Sequence, residues 1–465
     1  MTEHAEDKRG PAAPATADWK ALAADLAGAV VLPGSDEYEL VRKPAIARFH
    51  DARPQAVLRC RSAADVVQAV SFARRFRLTI AIRSGGHDFA GRSSTGDVVI
   101  DVSLMDSVCL SGNVAIIAAG ATLADVYASL HAHGRTIPGG CGPTVGIAGL
   151  TLGGGLGVLG RSYGLTCDRL VQAQVVLADG RTVACDEQRE PELFWALRGA
   201  GAGQFGVVTE LVFDTVPAPR CTVFELTWDY RHAAHVLDAW QAWAPKAPDQ
   251  LAASLLLNAP ADPKRPPRVT LLGAAVALSP EATDELLHVL IARAAARPRA
   301  WWREGMSWLD TKRCLAERAP GDDEGRLFSK SEFFQRLLPT KVIADVVDQL
   351  AATRSPGEAR ELDFSPWGGA YNRAPVDATA FPHRGERFLL KYAATVKLDA
   401  SGAGRVAPGE WLARSWQSVR PWGTGRVYPN FPDPDLDDPG RAYFGANFER
   451  VSQAKATYDP DGVFA

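Results

Sequence analysis

An α+β fold in two domains is what this sequence predicts, on three observations. The chain of 465 residues, 46% of them apolar and 23% charged, is longer than one hydrophobic core ordinarily supports. Its first part interleaves short apolar strands with periodic helices and places glycines at the joints. At VPAPR (216–220) the pattern shifts to longer amphipathic helices and longer strands.

The elements follow in order. Ser62, with Asp65 three residues on, opens a periodic run through Val66, Val67, Val70 and Phe72, which predicts a capped helix. LTIAI (78–82), VVIDVS (98–103) and VAIIAAG (114–120) read as strands. Thr122 caps a helix through Tyr127 and Leu130 that Gly134 stops. QAQVVLADGRTVACD (172–186) is a hairpin turning at Asp179-Gly180. PELFWALRGAGAGQFGVVTELVFDTVP (191–217) runs helix, glycine loop, strand. Beyond 218, helices are expected over 232–244 and 282–296, and strands over 254–259 and 269–278. PDPDLDDPG (432–440) reads as a linker before a final short helix.

Composition excludes several classes. A net charge of −3 with no basic run gives no reason to expect nucleic acid or an anionic membrane as partner. No apolar stretch has the roughly 20 residues of a membrane span. Residues 1–18 are polar and rich in Pro and Ala, with no apolar signal core, so a disordered leader and a cytoplasmic setting are expected. The seven scattered cysteines, without CxxC spacing, argue against a disulfide framework and against a metal site.

Glycine is kept where backbone must turn left-handed or lie against something. Two segments stand out: RSGGH (83–87), directly after a strand, and PGGCGPTVGIAGLTLGGGLG (138–157). The Gly-x-Gly-x-x-Gly at 155, 157 and 160 lacks the strand-to-helix frame of a dinucleotide fold. Read singly, each segment could be a packing loop.

Together, and in order with GLTCDRLVQAQVVLADG, ELFWALRGAGAGQFGVVTE, PWGGAYNR, the PHR at 382–384 and the closing YFGANFERVSQAKATYDPDGVF, they resemble the berberine-bridge-enzyme branch of the vanillyl-alcohol-oxidase superfamily. That resemblance implies a two-domain flavoprotein. A PCMH-type FAD-binding domain would span 19–217, and a substrate domain with a helix-covered antiparallel sheet 218–431. A C-terminal segment, 432–465, would return to the FAD domain.

The resemblance also implies site residues. His87 would bond the 8α-methyl of FAD, with Gly85 and Gly86 admitting the ring edge; a neutral imidazole is nucleophilic enough for this. Doubly linked relatives carry a cysteine directly before Pro-Thr-Val-Gly, but here Gly142 stands there and Cys141 one residue earlier. A second bond from Cys141 to flavin C6 is therefore disfavoured against single attachment. Cofactor contacts are expected from Arg83, Ser84, Asp88, Thr144, Gly146, Gly149, Gly153, Gly154, Leu156, Gly157 and Asn430, with Val208 on the adenine side. Leu156 would make the pocket more apolar.

For the chemistry, Tyr428 of RVYPNFPD resembles a general base, provided cationic neighbours lower its phenol pKa from ~10; Lys391 and Arg426 are the candidates. Tyr428 and Asn430, two apart, are expected to share a face. Asp363 and Ser365 alternate onto one face of a strand entering the Gly-Gly bend at 368–369. Ser365 stands where relatives place a carboxylate or tyrosine. Trp301, Trp302 and Trp308 are candidates for lining the pocket, and His383 for a structural hydrogen-bond partner.

The reaction implied is oxidation of a small molecule, typically a secondary metabolite, by hydride transfer to FAD, with O2 reoxidising the cofactor to give hydrogen peroxide. Oxidative decarboxylation or ring closure, oxidation of a carbohydrate or alcohol, and a non-catalytic flavin carrier are the alternatives. A monomer or homodimer is expected.

Overall fold

The structure is a computed structural model and describes residues 13–464 except 95, 202, 319–324, 353, 401 and 402. Most of the expected leader, residues 1–12, lies outside the described residues. Its last three residues do not belong to a leader: a helix begins at Thr16 and runs to Asp25, burying Trp19 and Leu22 against Phe72 and the first core.

Two sheets share that core. The first has four strands in the order Ala29–Val31, Ala56–Arg59, Val98–Asp101, Ile80–Arg83, all parallel except the outermost pair. The helix Ala63–Phe76 makes the crossover between Ala56–Arg59 and Ile80–Arg83. Ser62 caps it, accepting from the Asp65 amide at 3.2 Å, and Arg77 ends it in the left-handed region at φ 52°. The second sheet has five antiparallel strands in the order Val108–Ser111, Val114–Ala118, Val207–Asp214, Leu170–Val176, Thr182–Cys185. Gly180 turns the last hairpin at φ 87°.

A seven-stranded antiparallel sheet forms the second lobe, in the order Ala300–Met306, Cys221–Asp229, Arg268–Val276, Leu251–Ala259, Ala359–Pro366, Phe388–Val396, Arg326–Phe334. Helices Ala233–Trp243, Pro280–Ala294, Thr340–Ala351 and Ala403–Val419 accompany it, their buried faces sharing one core with its strands. The other face of the sheet looks toward the glycine-rich loop. Leu256 and Leu272 pack there with Leu159 and Trp308.

Three local expectations are corrected. The glycine-rich stretch holds a short helix, Ile147–Leu152, that its composition did not suggest. Residues 426–431 are irregular with a turn at Pro429 and Asn430, so Tyr428 and Asn430 meet through a side-chain hydrogen bond and not by strand alternation. The 432–440 segment is no free linker: Asp433, 4% exposed, takes two bonds from Lys330 Nζ at 2.7 and 2.8 Å. The closing helix Phe448–Tyr458 buries Val451 and Ala454 in the first core, where Phe464 joins them.

No described helix is long and apolar enough to cross a membrane. All seven cysteines are free.

Candidate functional site

Two glycine loops lie against each other between the lobes. A Cβ at Gly85 would fall 2.3 Å from the Gly146 amide nitrogen, and one at Gly146 2.1 Å from Ser84 Oγ, so neither position tolerates a side chain. Ser84 Oγ donates to Ala119 O at 2.7 Å, and Arg83 is buried with its Nε on Ser93 O and Nη2 on Arg42 O. Asp88 builds the loop itself, accepting from the Ala90 and Arg92 amides and pairing with Arg92. Arg83 and Asp88 therefore shape the loop through their side chains.

His87 stays partly exposed at the junction, its Nε2 2.9 Å from Thr144 Oγ1 of the second loop. The second loop turns at Gly154 (φ 112°) and Gly155 (φ 85°). Gly157 abuts Gly139, where a Cβ would come within 1.9 Å of its carbonyl oxygen. A Cβ on Gly149 would meet nothing within 4 Å, so open space faces that position. A flat ring carrying a pyrophosphate fits this arrangement: apposed glycine backbones, open space at Gly149 and an accessible imidazole at the rim. Gly142 meets only Val145. Val208 is buried in its strand opposite Val175.

Tyr428 is 1% exposed. Its Oη accepts from the Gly155 and Leu156 amides, each at 3.0 Å, and from Asn430 Nδ2 at 3.2 Å. Asn430 Nδ2 also donates to Leu150 O at 2.9 Å. Burial pushes the Tyr428 phenol up to about 12, although the three donors pull the other way. The expected cationic help is absent. Arg426 pairs with Glu386 at 3.1 Å, and Lys391 Nζ lies 3.5 Å from Glu361 and 5.5 Å from the Phe431 ring centroid. Tyr428 is thus a clasp on the glycine loop, and the two cations expected to lower its phenol are engaged elsewhere. Tyr371 clasps the same loop, donating to Gly157 O at 2.9 Å and accepting from the Gly157 amide at 3.1 Å.

A half-open cavity of about 250 Å³ separates the glycine loop from the seven-stranded sheet. Its loop side is Gly140, Cys141, Leu156, Gly157 and Val158, and its sheet side Ser254, Leu256 and Leu272. Glu361, Asp363, Ser365 and Lys391 make one polar wall, because alternation along Ala359–Pro366 points all three acidic and hydroxyl side chains the same way. Asp363 faces Lys391 directly across the strand pair. Asp363 Oδ1 accepts from Ser365 Oγ at 3.1 Å, and Glu361 Oε2 accepts from Asn258 Nδ2 at 2.9 Å.

The tryptophan expectation is also corrected. Trp301 packs on His288, Trp302 lies under Arg318, and Trp308 is buried with its Nε1 on Thr136 Oγ1 at 2.7 Å; none lines this cavity. Trp367 and Tyr371 line it instead, their rings stacked 4.3 Å apart. His383 is fully buried against Phe333 and Phe381, and burial holds its pKa well below the usual imidazole value.

Two residues escaped the sequence reading. Arg161, 1% exposed, ties the loop lobe to the sheet lobe through the carbonyls of Trp367 and Ala247. Arg384 of the PHR triplet grips Asp168 of GLTCD with bonds of 2.6 and 2.8 Å. These links span 86 to 216 residues, and such pairings have no local signal.

Residues 54–186 match the profile described as FAD binding domain, and 427–465 the one described as Berberine and berberine like. The FAD-linked oxidoreductase YgaK of Bacillus subtilis is 32% identical, covering 88% of this chain and 90% of its own. YvdP of the same organism is 31% identical over 94% and 97%. The solved structure of Physcomitrella patens BBE-like 1 superposes with a TM-score of 0.86 at 26% identity, covering 96% of this chain and 97% of the other.

Proposed function

Because this chain belongs to the berberine-bridge-enzyme-like family of FAD-linked oxidoreductases, we propose that it oxidises a small, largely apolar metabolite bearing an ionisable hydrogen beside the carbon that reacts. O2 is the final electron acceptor and hydrogen peroxide the second product. The observation that carries this reading is the cavity between the glycine loop and the sheet, where Leu156, Val158, Leu256, Leu272 and Leu315 face a polar wall of Glu361, Asp363, Ser365 and Lys391, with Arg161, Ser254 and Tyr371 as its other polar lining. A polyhydroxylated sugar suits it less well, since hydroxyls turned toward Leu156, Leu256 and Leu272 would lose water without gaining partners on that side.

The lobe spanning 19–217 holds FAD, the lobe spanning 218–431 holds the substrate, and 432–465 closes back onto the first. His87 is the point of single covalent attachment. The backbone around Ser84, Gly85, Gly86, Gly146, Gly149 and Gly153 cradles the dinucleotide. FAD, when bound, supplies the two-electron acceptor.

Asp363 accepts the substrate's proton, held in place by Ser365 Oγ and faced by the Lys391 ammonium. Such general-base help is worth roughly 10²–10⁴-fold. The stacked rings of Trp367 and Tyr371 orient the apolar body, and Leu156 and Val158 keep water from the reacting carbon. The test is a metabolite library assayed for peroxide in air and for anaerobic bleaching of the yellow colour. Bleaching without peroxide identifies a dehydrogenase that passes electrons to a partner; neither response with any compound points to a carrier.

A further inference from the structure

Lys312 sits in the helix Trp308–Arg318 and reaches across to the glycine loop. Its Nζ donates to Gly139 O at 2.8 Å and Gly140 O at 2.9 Å, and lies 3.9 Å from Cys141 Sγ. The rings of Tyr127 and Trp308 flank the ammonium at 4.5 and 4.7 Å from their centroids. Lys312 is 4% exposed.

Among the described residues, no carboxylate lies within ion-pair distance of this nitrogen; the ionisable groups around it are the thiols of Cys141 and Cys221 and the phenol of Tyr127. A fully buried lysine is ordinarily paired, because taking a charge out of water is costly. Carbonyl oxygens and ring faces solvate the ammonium but bring no net negative charge. Its burial lowers the lysine pKa, a shift the two thiols oppose. The charge is therefore held without a protein counter-charge, directly behind Gly140 and Cys141, which line the cavity.

We propose that Lys312 is a positioning residue of the redox site, whose ammonium offsets the negative charge that bound FAD acquires on reduction and so makes the cofactor easier to reduce. A hydride from substrate carbon would bring bound FAD two electrons and one proton, and without a second proton the reduced cofactor would carry a negative charge. A fixed positive charge in a water-poor site stabilises that anion more than the neutral oxidised form. The proposal rests on FAD lying against the glycine loop, as above.

Sulfite is the probe. Its lone pair forms a bond to N5 of the oxidised flavin, which moves negative charge onto the ring without any substrate. The holoenzyme is titrated with sulfite, read by loss of the yellow absorbance, and its midpoint potential is measured with reference dyes. Lys312→Gln keeps a hydrogen-bond donor and removes the charge; Lys312→Arg keeps the charge. Lys312→Met is a second neutral variant should glutamine not fold.

In the neutral variant the sulfite Kd rises about tenfold or more, and the potential falls by the two-electron equivalent, about 30 mV. Lys312→Arg stays within about threefold of the parent. Unchanged sulfite affinity in a yellow neutral variant overturns the proposal, as does an equal loss in Lys312→Arg. A parent protein that is colourless and stays so when loaded with FAD overturns the flavin reading instead.

Discussion

Leu156 and Tyr428 are 272 residues apart in the chain, and the Leu156 amide donates to Tyr428 Oη at 3.0 Å. Gly155 donates to the same oxygen at the same distance. This phenol joins the glycine-rich turn of the first lobe to the segment leading into the C-terminal helix. It is fully buried and does not line the cavity.

Tyr428→Phe leaves the buried Gly155 amide and the half-buried Leu156 amide without that acceptor. A loss of roughly 1–3 kcal/mol of stability is expected, the usual cost of an unsatisfied buried donor. Calorimetry should show a melting temperature several degrees lower, with more residual turnover than Asp363→Asn retains. A variant as stable as the parent but inactive would assign the base role to the phenol instead of Asp363.

Asp363→Asn is expected to lower kcat by about 10²-fold or more, while melting temperature and flavin content stay near the parent values. Ser365→Ala, which removes the hydroxyl 3.1 Å from that carboxylate, should cost less than about tenfold, because it positions the base and does not replace it. Steady-state kinetics on any substrate found by the peroxide assay separates the two.

His87→Ala should abolish acid-stable yellow colour, and the denatured mass should fall by one FAD. Cys141→Ala should leave that mass increment in place. Intact-mass spectrometry before and after acid precipitation reads both. Loss of the increment only in Cys141→Ala would reverse the assignment.

Glu332 is fully buried, and burial raises its carboxyl to about 8, against the pull of the Gly425 amide and Arg420. The folded state therefore favours the protonated acid, and the unfolded chain ionises first. Stability is complete below about pH 4.5 and declines as pH rises toward 8. Glu332→Gln keeps an acceptor for the Gly425 amide, 2.6 Å away, and cannot ionise. Its melting temperature should be flatter between pH 6 and about pH 9 than that of the parent, and higher at the alkaline end.

The order of motifs from RSGGH to the closing helix made the flavin fold and the family legible, because glycine needed for left-handed turns and close approach leaves a local mark. Helix starts at Ser62 and Thr122 were legible for the same reason: a cap is a contact within three residues. The polar wall was half legible. Alternation put Asp363 and Ser365 on one face, but nothing local brought Lys391 opposite Asp363 or Glu361 beside it.

What the amino-acid order determined on its own was the cofactor class, the two lobes and the loop that offers His87. What only the tertiary structure decided was what the charged and aromatic residues do. Tyr428 became a clasp, the three tryptophans of 301–308 turned from the cavity, and Lys312 was buried behind the glycine loop. The reason is physical: a side chain's role follows from its solvation and its partners, and those partners arrive from hundreds of residues away.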